Sequence, residues 1–394
     1  MKTISFKNGL NRREFCKIVA AGSVSATVSP FLTNSLLGQS SPPPGKPDTN
    51  IKDALKMPRT PDSMPGKFPG AVVQVGHDKS VVNNKPDFKT TSAMLKAGML
   101  ELTSTASLAA AWRQFVSPED VVALKVNPVA GKLLSTSLEI VRSVIAQLTD
   151  AGIPAKNIII WDRREFQLHE AGFTAANIPG VEITGQEYKD VNGSFYDANG
   201  RLYGEARIDR KWYYWADCEM KYDKETLPYM INEGKYSYFS KIVTQRVTKI
   251  INIPILKNAG PTVTLCLKNL AYGAITNTAR LHKQLWSETC AQVPCFAPLR
   301  DKVVLNIVDG IRGCYNGGPG ANPQYFTDYK TILIGTDPVA VDRIGYEIVL
   351  KKRLREKIQK SESTRGRVFM NMAQEYGLGV ADVEKITHQK IQLG

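Results

Sequence analysis

Two lysines and two asparagines interrupt an otherwise apolar stretch, "PILKNAGPTVTLCLKNLAYG" (Pro254 to Gly273). They are Lys257, Asn258, Lys268 and Asn269. Burying an amine is costly unless an anion or a polar acceptor meets it, so these positions are candidates for holding an anionic ligand. The same signature recurs in "VVALKVN", where Lys125 and Asn127 are two residues apart and share one face of a strand. Lysine meets phosphate or carboxylate as a point charge, and asparagine orients such a group by hydrogen bonds. Asp309, in "VVLNIVDG", and Asp342, in "DPVAVDRIG", supply carboxyls for acid/base work or for a divalent cation. The competing reading is a lysine paired with Asp309 or Asp342 in a purely structural network.

Positioning these groups requires strands that end along one rim. Short β-branched runs alternate with helical patterns: "AVVQV" (Ala71 to Val75), "DVVALKVN" (Asp120 to Asn127), "NIIIWD" (Asn157 to Asp162), "KIINIPIL" (Lys249 to Leu256), "VVLNIVDG" and "TILIGTD" (Thr331 to Asp337). Between them, "SLEIVRSVIAQLTDAG" reads as an amphipathic helix with Ile140, Val144, Ile145 and Leu148 on one stripe. This order predicts an α/β fold, a mostly parallel sheet flanked by helices. Open sheets of that kind bind ligands outside the C-terminal ends of their strands. Lys125 and Asn127, Asp162 and Arg163, Lys257 and Asn258, Asp309, and Thr336 and Asp337 all fall at such ends. Asp337 before Pro338 also reads as a helix cap. The segment after Gly260 reads either as a helix from Pro261 or as a strand. As a helix, its free N-terminal amides would lie beside Lys257 and favour an anion. "GSFYDANGRLYG" carries the hairpin signal Asn199-Gly200, so a small antiparallel β insert is expected near 181–220.

The first forty residues read as an address. Arg12 and Arg13 precede Phe15 and a weakly apolar run, Ile18 to Leu32, which matches a twin-arginine export signal and is too short and polar to span a bilayer stably. The expected destination is the periplasm, through the twin-arginine export machinery, without a stable membrane span after signal removal. That route carries folded proteins, often with a cofactor already loaded. A Pro-rich linker is expected over 41–70 and a single domain over 71–394. The formal net charge of +14 favours anionic partners without naming one. No basic stripe with interleaved aromatics supports nucleic acid as the partner. The basic run Lys351 to Lys357 suits the end of a helix. Cys290 and Cys295 are the one close cysteine pair and could bridge. No Cys-x-x-Cys occurs, the four histidines are far apart, and no metal motif or nucleophile elbow is present. The loop "GCYNGGPGANP" is neither a Walker loop nor a dinucleotide fingerprint.

Four segments, "VVALKVNP", "PILKNAGPTVTLCLKNLAYG", "VLNIVDGIRGCYNGGPG" and "ILIGTDPVAVDRIG", follow the order of motifs in the domain-of-unknown-function 362 family, which the chain resembles over about Ala71 to Leu350. Lys125, Asn127, Lys257, Lys268, Asn269, Asp309, Asp337 and Asp342 fall within those motifs. The resemblance implies no settled activity. Some relatives carry an iron–sulfur ferredoxin segment, whose cysteine cluster this chain lacks. The resulting expectation is an exported enzyme with an anionic small molecule or anionic cofactor of unknown identity at the strand ends. A non-catalytic periplasmic anion-binding protein and a redox protein with a preloaded cofactor are the alternatives.

Overall fold

The computed structural model describes residues 45–220, 234–260, 262–358 and 364–394. The expected export signal lies outside them. The strands are β1 (Ala71–Gly76), β2 (Val81–Val82), β3 (Lys85–Pro86), β4 (Val122–Val126), β5 (Ile158–Arg164), β6 (Glu182–Glu187), β7 (Ile208–Trp215), β8 (Tyr236–Ser240), β9 (Lys249–Ile253), β10 (Ile255–Ala259), β11 (Thr262–Val263), β12 (Val303–Cys314), β13 (Phe326–Thr327), β14 (Thr331–Gly335) and β15 (Thr387–Gln392). The α-helices are α1 (Ile51–Lys56), α2 (Phe88–Thr103), α3 (Leu108–Trp112), α4 (Leu138–Asp150), α5 (Glu165–Ala171), α6 (Cys266–Ala274), α7 (Ala279–Gln284), α8 (Trp286–Gln292), α9 (Ala297–Arg300), α10 (Pro338–Arg355) and α11 (Val368–Glu375). Helix starts follow local chemistry: Asp87, Ser137 and Asp337 each accept a first-turn amide of α2, α4 and α10.

Eleven strands form one sheet, whose main path is β15-β1-β14-β12-β9-β4-β5-β6. From β12 to β6 every neighbouring pair is parallel. These strands are joined by crossovers, and their apolar runs are buried on both faces, as parallel strands require. One face packs against α2, α3, α4 and α5 through Met94, Trp112, Val144 and Leu168. The other packs against α6, α8, α10 and α11 through Leu270, Ala291, Val341 and Phe369. Residues Pro47–Gly394 form one compact unit.

Several expectations change. β14 runs antiparallel to both β12 and β1. Thr336 and Asp337 therefore leave β14 in the direction opposite to the ends of the parallel strands, although Gly335 stays level with Lys125 through the Asn252 and Asn306 register. The reason is the connection: a glycine-rich loop and a hairpin strand, β13, join β12 to β14, with no crossover helix to return the chain parallel. Residues 182–187 are a strand of the main sheet, and the antiparallel insert is instead β7 paired with β8. The Asn199-Gly200 turn closes a single bridge, Tyr196 to Leu202. Within the expected linker, α1 forms and Ala54 and Met64 are fully buried, because Arg300 ties this segment down through the Ala54, Met57 and Pro58 carbonyls. Cys290 and Cys295 are both buried and free, and the Cys295 thiol donates to the Ala291 carbonyl.

Candidate functional site

The ambiguous segment resolves into both readings. Thr262 and Val263 pair back onto β10, and the helix starts later, at Cys266. Its first amides are not free for a ligand: Asp342, on α10, accepts from Cys266 N (2.6 Å) and Leu267 N (3.1 Å). The anion at that helix end is the protein's own carboxylate. All nine residues of α6 are buried, so its polar side chains must find partners inside.

Asn269 points at the sheet. Lys125, in the middle of β4, stands beside Trp161 of β5 and Asn252 of β9 by register. A directed chain of hydrogen bonds crosses these strands. Lys257 Nζ donates to Asn127 Oδ1 (3.1 Å), Asn127 Nδ2 to Asn269 Oδ1 (3.3 Å), and Asn269 Nδ2 to Asn252 Oδ1 (2.8 Å). Asn252 Nδ2 then donates to Asn306 Oδ1 (2.9 Å), and Asn306 Nδ2 to the Thr336 carbonyl (3.1 Å). Each amide uses its acceptor toward one neighbour and its donor toward the next, which fixes every orientation along the row.

The three amines meet different surroundings. Lys125 Nζ is bound by Asp162 Oδ1 (2.5 Å), the Val126 carbonyl (2.7 Å) and Asn269 Oδ1 (3.0 Å). Burial lowers its pKa and the Asp162 carboxylate opposes that. Lys257 has neutral acceptors, Asn127 Oδ1 and the Val129 carbonyl (3.0 Å). Burial, and then the neighbouring Lys268 charge, lower its pKa to about 7. Lys268 is 8% exposed. Its Nζ stands 5.7 Å from the ring centres of both Tyr272 and Trp286, and no carboxylate or carbonyl among the described residues accepts from it. Burial lowers its pKa as well.

The remaining nominated residues serve the backbone. Asn258 Nδ2 closes the β10–β11 turn by donating to the Gly260 and Thr262 carbonyls. Asp309 accepts from Ser137 N (2.8 Å) and Oγ (2.7 Å) and from Ile311 N (3.2 Å), so it anchors the start of α4. Burial raises the pKa of Asp309, and raises that of Asp342 to about 7 against the pull of the α6 amides. Neither carboxyl pairs with a lysine. The structure thus brings Lys125, Asn127, Lys257 and Asn269 into one network. Lys268 adjoins them electrostatically, and Asn258, Asp309 and Asp342 stand outside it as supports.

Asp162, read in the sequence only as a strand-end group, and Asn252 and Asn306, which were not singled out, also belong to this network. A usable signal existed for the last two: like Lys125, each is a polar residue inside a β-branched strand run, where the cost of burial demands a partner. Among the described residues no group of three or more His, Cys, Asp or Glu side chains is placed to hold a metal ion, and no helix is long and apolar enough to cross a membrane.

No curated protein matches the chain. The family described as Domain of unknown function (DUF362) matches residues 217–347, a span that contains Lys257, Lys268, Asn269, Asp309 and Asp342 and leaves Lys125 and Asn127 outside it.

Proposed function

We propose that Lys257 and Lys268 hold an anionic small molecule or anionic cofactor at the C-terminal rim of β4 and β9, in a protein exported to the periplasm by the twin-arginine route. The observation that carries this reading is the charge balance. Asp162 neutralises Lys125, while Lys257 and Lys268 stand close enough to repel each other and neither makes an ion pair with a carboxylate among the described residues. A buried ammonium costs several kcal/mol. Contact with two aromatic faces returns about 0.5–2 kcal/mol, and no carboxylate or carbonyl among the described residues accepts from Lys268. A bound anion would satisfy both amines at once.

In this reading Lys257 is the proton-transfer group, since its pKa of about 7 suits exchange near neutrality. Asp162, the carboxylate that reaches the amine network, holds Lys125 in place. Asn127 and Asn269 orient the ligand side of the row. Asp309 and Asp342 position α4 and α6.

The test is thermal unfolding of the exported protein with phosphate and sulfate at constant ionic strength. The wild type is expected to gain stability, and Lys268→Met is expected to stay folded and to lose at least tenfold in apparent affinity, about 1.4 kcal/mol. A Lys268→Met protein that responds to phosphate and sulfate like the wild type ends the proposal. Absorbance of the same preparation and a turnover screen separate the enzyme from simple anion capture and from a redox protein with a loaded chromophore.

A further inference from the structure

We infer that Trp161, Arg163 and Gln186 form a second ligand site, for a small planar oxyanion of the carboxylate type, on the face of β5 and β6 that looks toward α6. The register pairs Trp161 with Thr184, Asp162 with Gly185 and Arg164 with Glu187, which sets Arg163 beside Gln186. Strand alternation then puts Trp161, Arg163, Thr184 and Gln186 on one face. Gln186 is fully buried and neither atom of its carboxamide has a hydrogen-bond partner among the described residues. Trp161 is fully buried and its Nε1 is likewise unpartnered. Arg163 Nη1 donates to Thr278 Oγ1, but its Nε makes no hydrogen bond although Glu187 Oε1 lies 3.3 Å away.

Native proteins rarely leave such groups unmet, and each one costs stability. Here donors outnumber acceptors. Trp161 brings one N–H and Gln186 two, and Arg163 Nε, 3.3 Å from Glu187 Oε1 without a hydrogen bond to it, brings a fourth, against the single unmet acceptor Gln186 Oε1. One water molecule accepts only two hydrogen bonds, so it leaves donors over, whereas the two oxygens of a carboxylate can take them all. Arg163, with its side chain 13% exposed, is the way in. The amine beside Trp161 is Lys125, at 5.5 Å from its ring centre, and Asp162 already pairs with it, so this site uses neither Lys257 nor Lys268.

The experiment measures thermal stabilisation of the full-length protein by formate, acetate and hydrogencarbonate relative to chloride at fixed ionic strength, in the wild type, Gln186→Met and Lys268→Met. Formate is expected to stabilise the wild type and Lys268→Met alike and to have no effect on Gln186→Met. The unliganded melting temperature of Gln186→Met should equal or exceed that of the wild type, because an unmet amide has been replaced by an apolar group of similar shape. No formate response in the wild type, or an undiminished response in Gln186→Met, overturns the inference. Loss of the formate response in Lys268→Met with retention in Gln186→Met overturns it too, and leaves the Lys257–Lys268 site standing alone. Should Gln186→Met fail to fold, Gln186→Glu decides in its place, since it sets a carboxylate against the incoming one.

Discussion

Lys125, Lys257 and Lys268 are three answers to the problem of a buried amine. Lys125 keeps a carboxylate at 2.5 Å. Lys257 gives up its proton near neutrality and donates to two carbonyl-type oxygens. Lys268 rests against aromatic rings, with no carboxylate or carbonyl acceptor among the described residues. The second answer has a thermodynamic signature. The Lys257 amine titrates at about 7 in the fold and at 10.5 in its ordinary state. Between those values the unfolded chain holds the extra proton, so stability rises with pH across that window, by at most ~1.4 kcal/mol per pH unit. The raised carboxyls act in the opposite sense and lower down. Asp337, at about 6, and Asp342, at about 7, stabilise the fold at acid pH and lose that contribution as pH climbs through those values. Urea midpoints at pH 7, 8, 9 and 10 therefore span the lysine's window, in which the raised thiols of Cys266 and Cys290 act in the opposite sense in both proteins. The ligand-free wild type should gain stability more steeply than Lys257→Met, and identical slopes would mean that the amine is not neutral in the fold. A saturating anion should flatten the wild-type slope by restoring the charge. Lys125 and Lys268 have pKa values lowered in the same direction and stay in the variant, so the difference between the slopes is the quantity to read.

α6 is the element on which the site depends. It is short and wholly buried, it starts on a carboxylate borrowed from α10, and it passes so close to the sheet that Gly273 has no room for a side chain. A Cβ there would overlap Lys125 Cε and Nζ. In an exposed helix, Gly→Ala stabilises by up to about 1 kcal/mol. Gly273→Ala should do the reverse, destabilising by roughly 1–3 kcal/mol through overpacking. It should also weaken the anion response, because α6 carries Asn269 and Lys268 with it. A gain in urea midpoint for Gly273→Ala would show that α6 can lift off without consequence. The same helix marks the limit of what the residue order could reveal. Lys125 and Asn127 were legible as neighbours on one face, since a strand repeats every two residues. Lys268 and Asn269, adjacent in sequence, turn to different partners because a helix rotates about 100° per residue: Asn269 to the sheet, Lys268 to Tyr272 and Trp286. Only the start of the helix decides which of them does so, and that start is set by Asp342, some seventy positions away. Asp309 and Asp342 read as chemistry in the sequence because a buried carboxyl holding backbone amides and a catalytic one have the same local surroundings there.

At the scale of the whole molecule, the parallel half of the sheet was legible because its strands alternate with helical sequence. The antiparallel β14 was misplaced although its connection to β12 contains no helix pattern, which is the feature that forbids a parallel return. β15, which pairs with β1 along its full length, was not legible at all. Thr387 to Gln392 is a polar edge strand, and its pairing depends on β1, from the other end of the unit, having already taken its place against β14. That closure bears on export. Residues Pro47–Gly394 form a unit with its own core, and the proposed address, Arg12 and Arg13, precedes it in the chain. A twin-arginine route accepts folded cargo, so address and fold should fail separately. Replacing Arg12 and Arg13 together by lysine should leave a cytoplasmic protein with the wild-type melting temperature and the wild-type anion response, while little or none reaches the periplasm. Gly273→Ala, with its address intact, should instead reach the periplasm in proportion to the fraction that folds. Cell fractionation with immunodetection, paired with melting curves of the retained protein, reads both outcomes. Undiminished export of the double-lysine variant would remove the twin-arginine proposal, and with it the inference that any bound cofactor is loaded before the chain crosses the membrane.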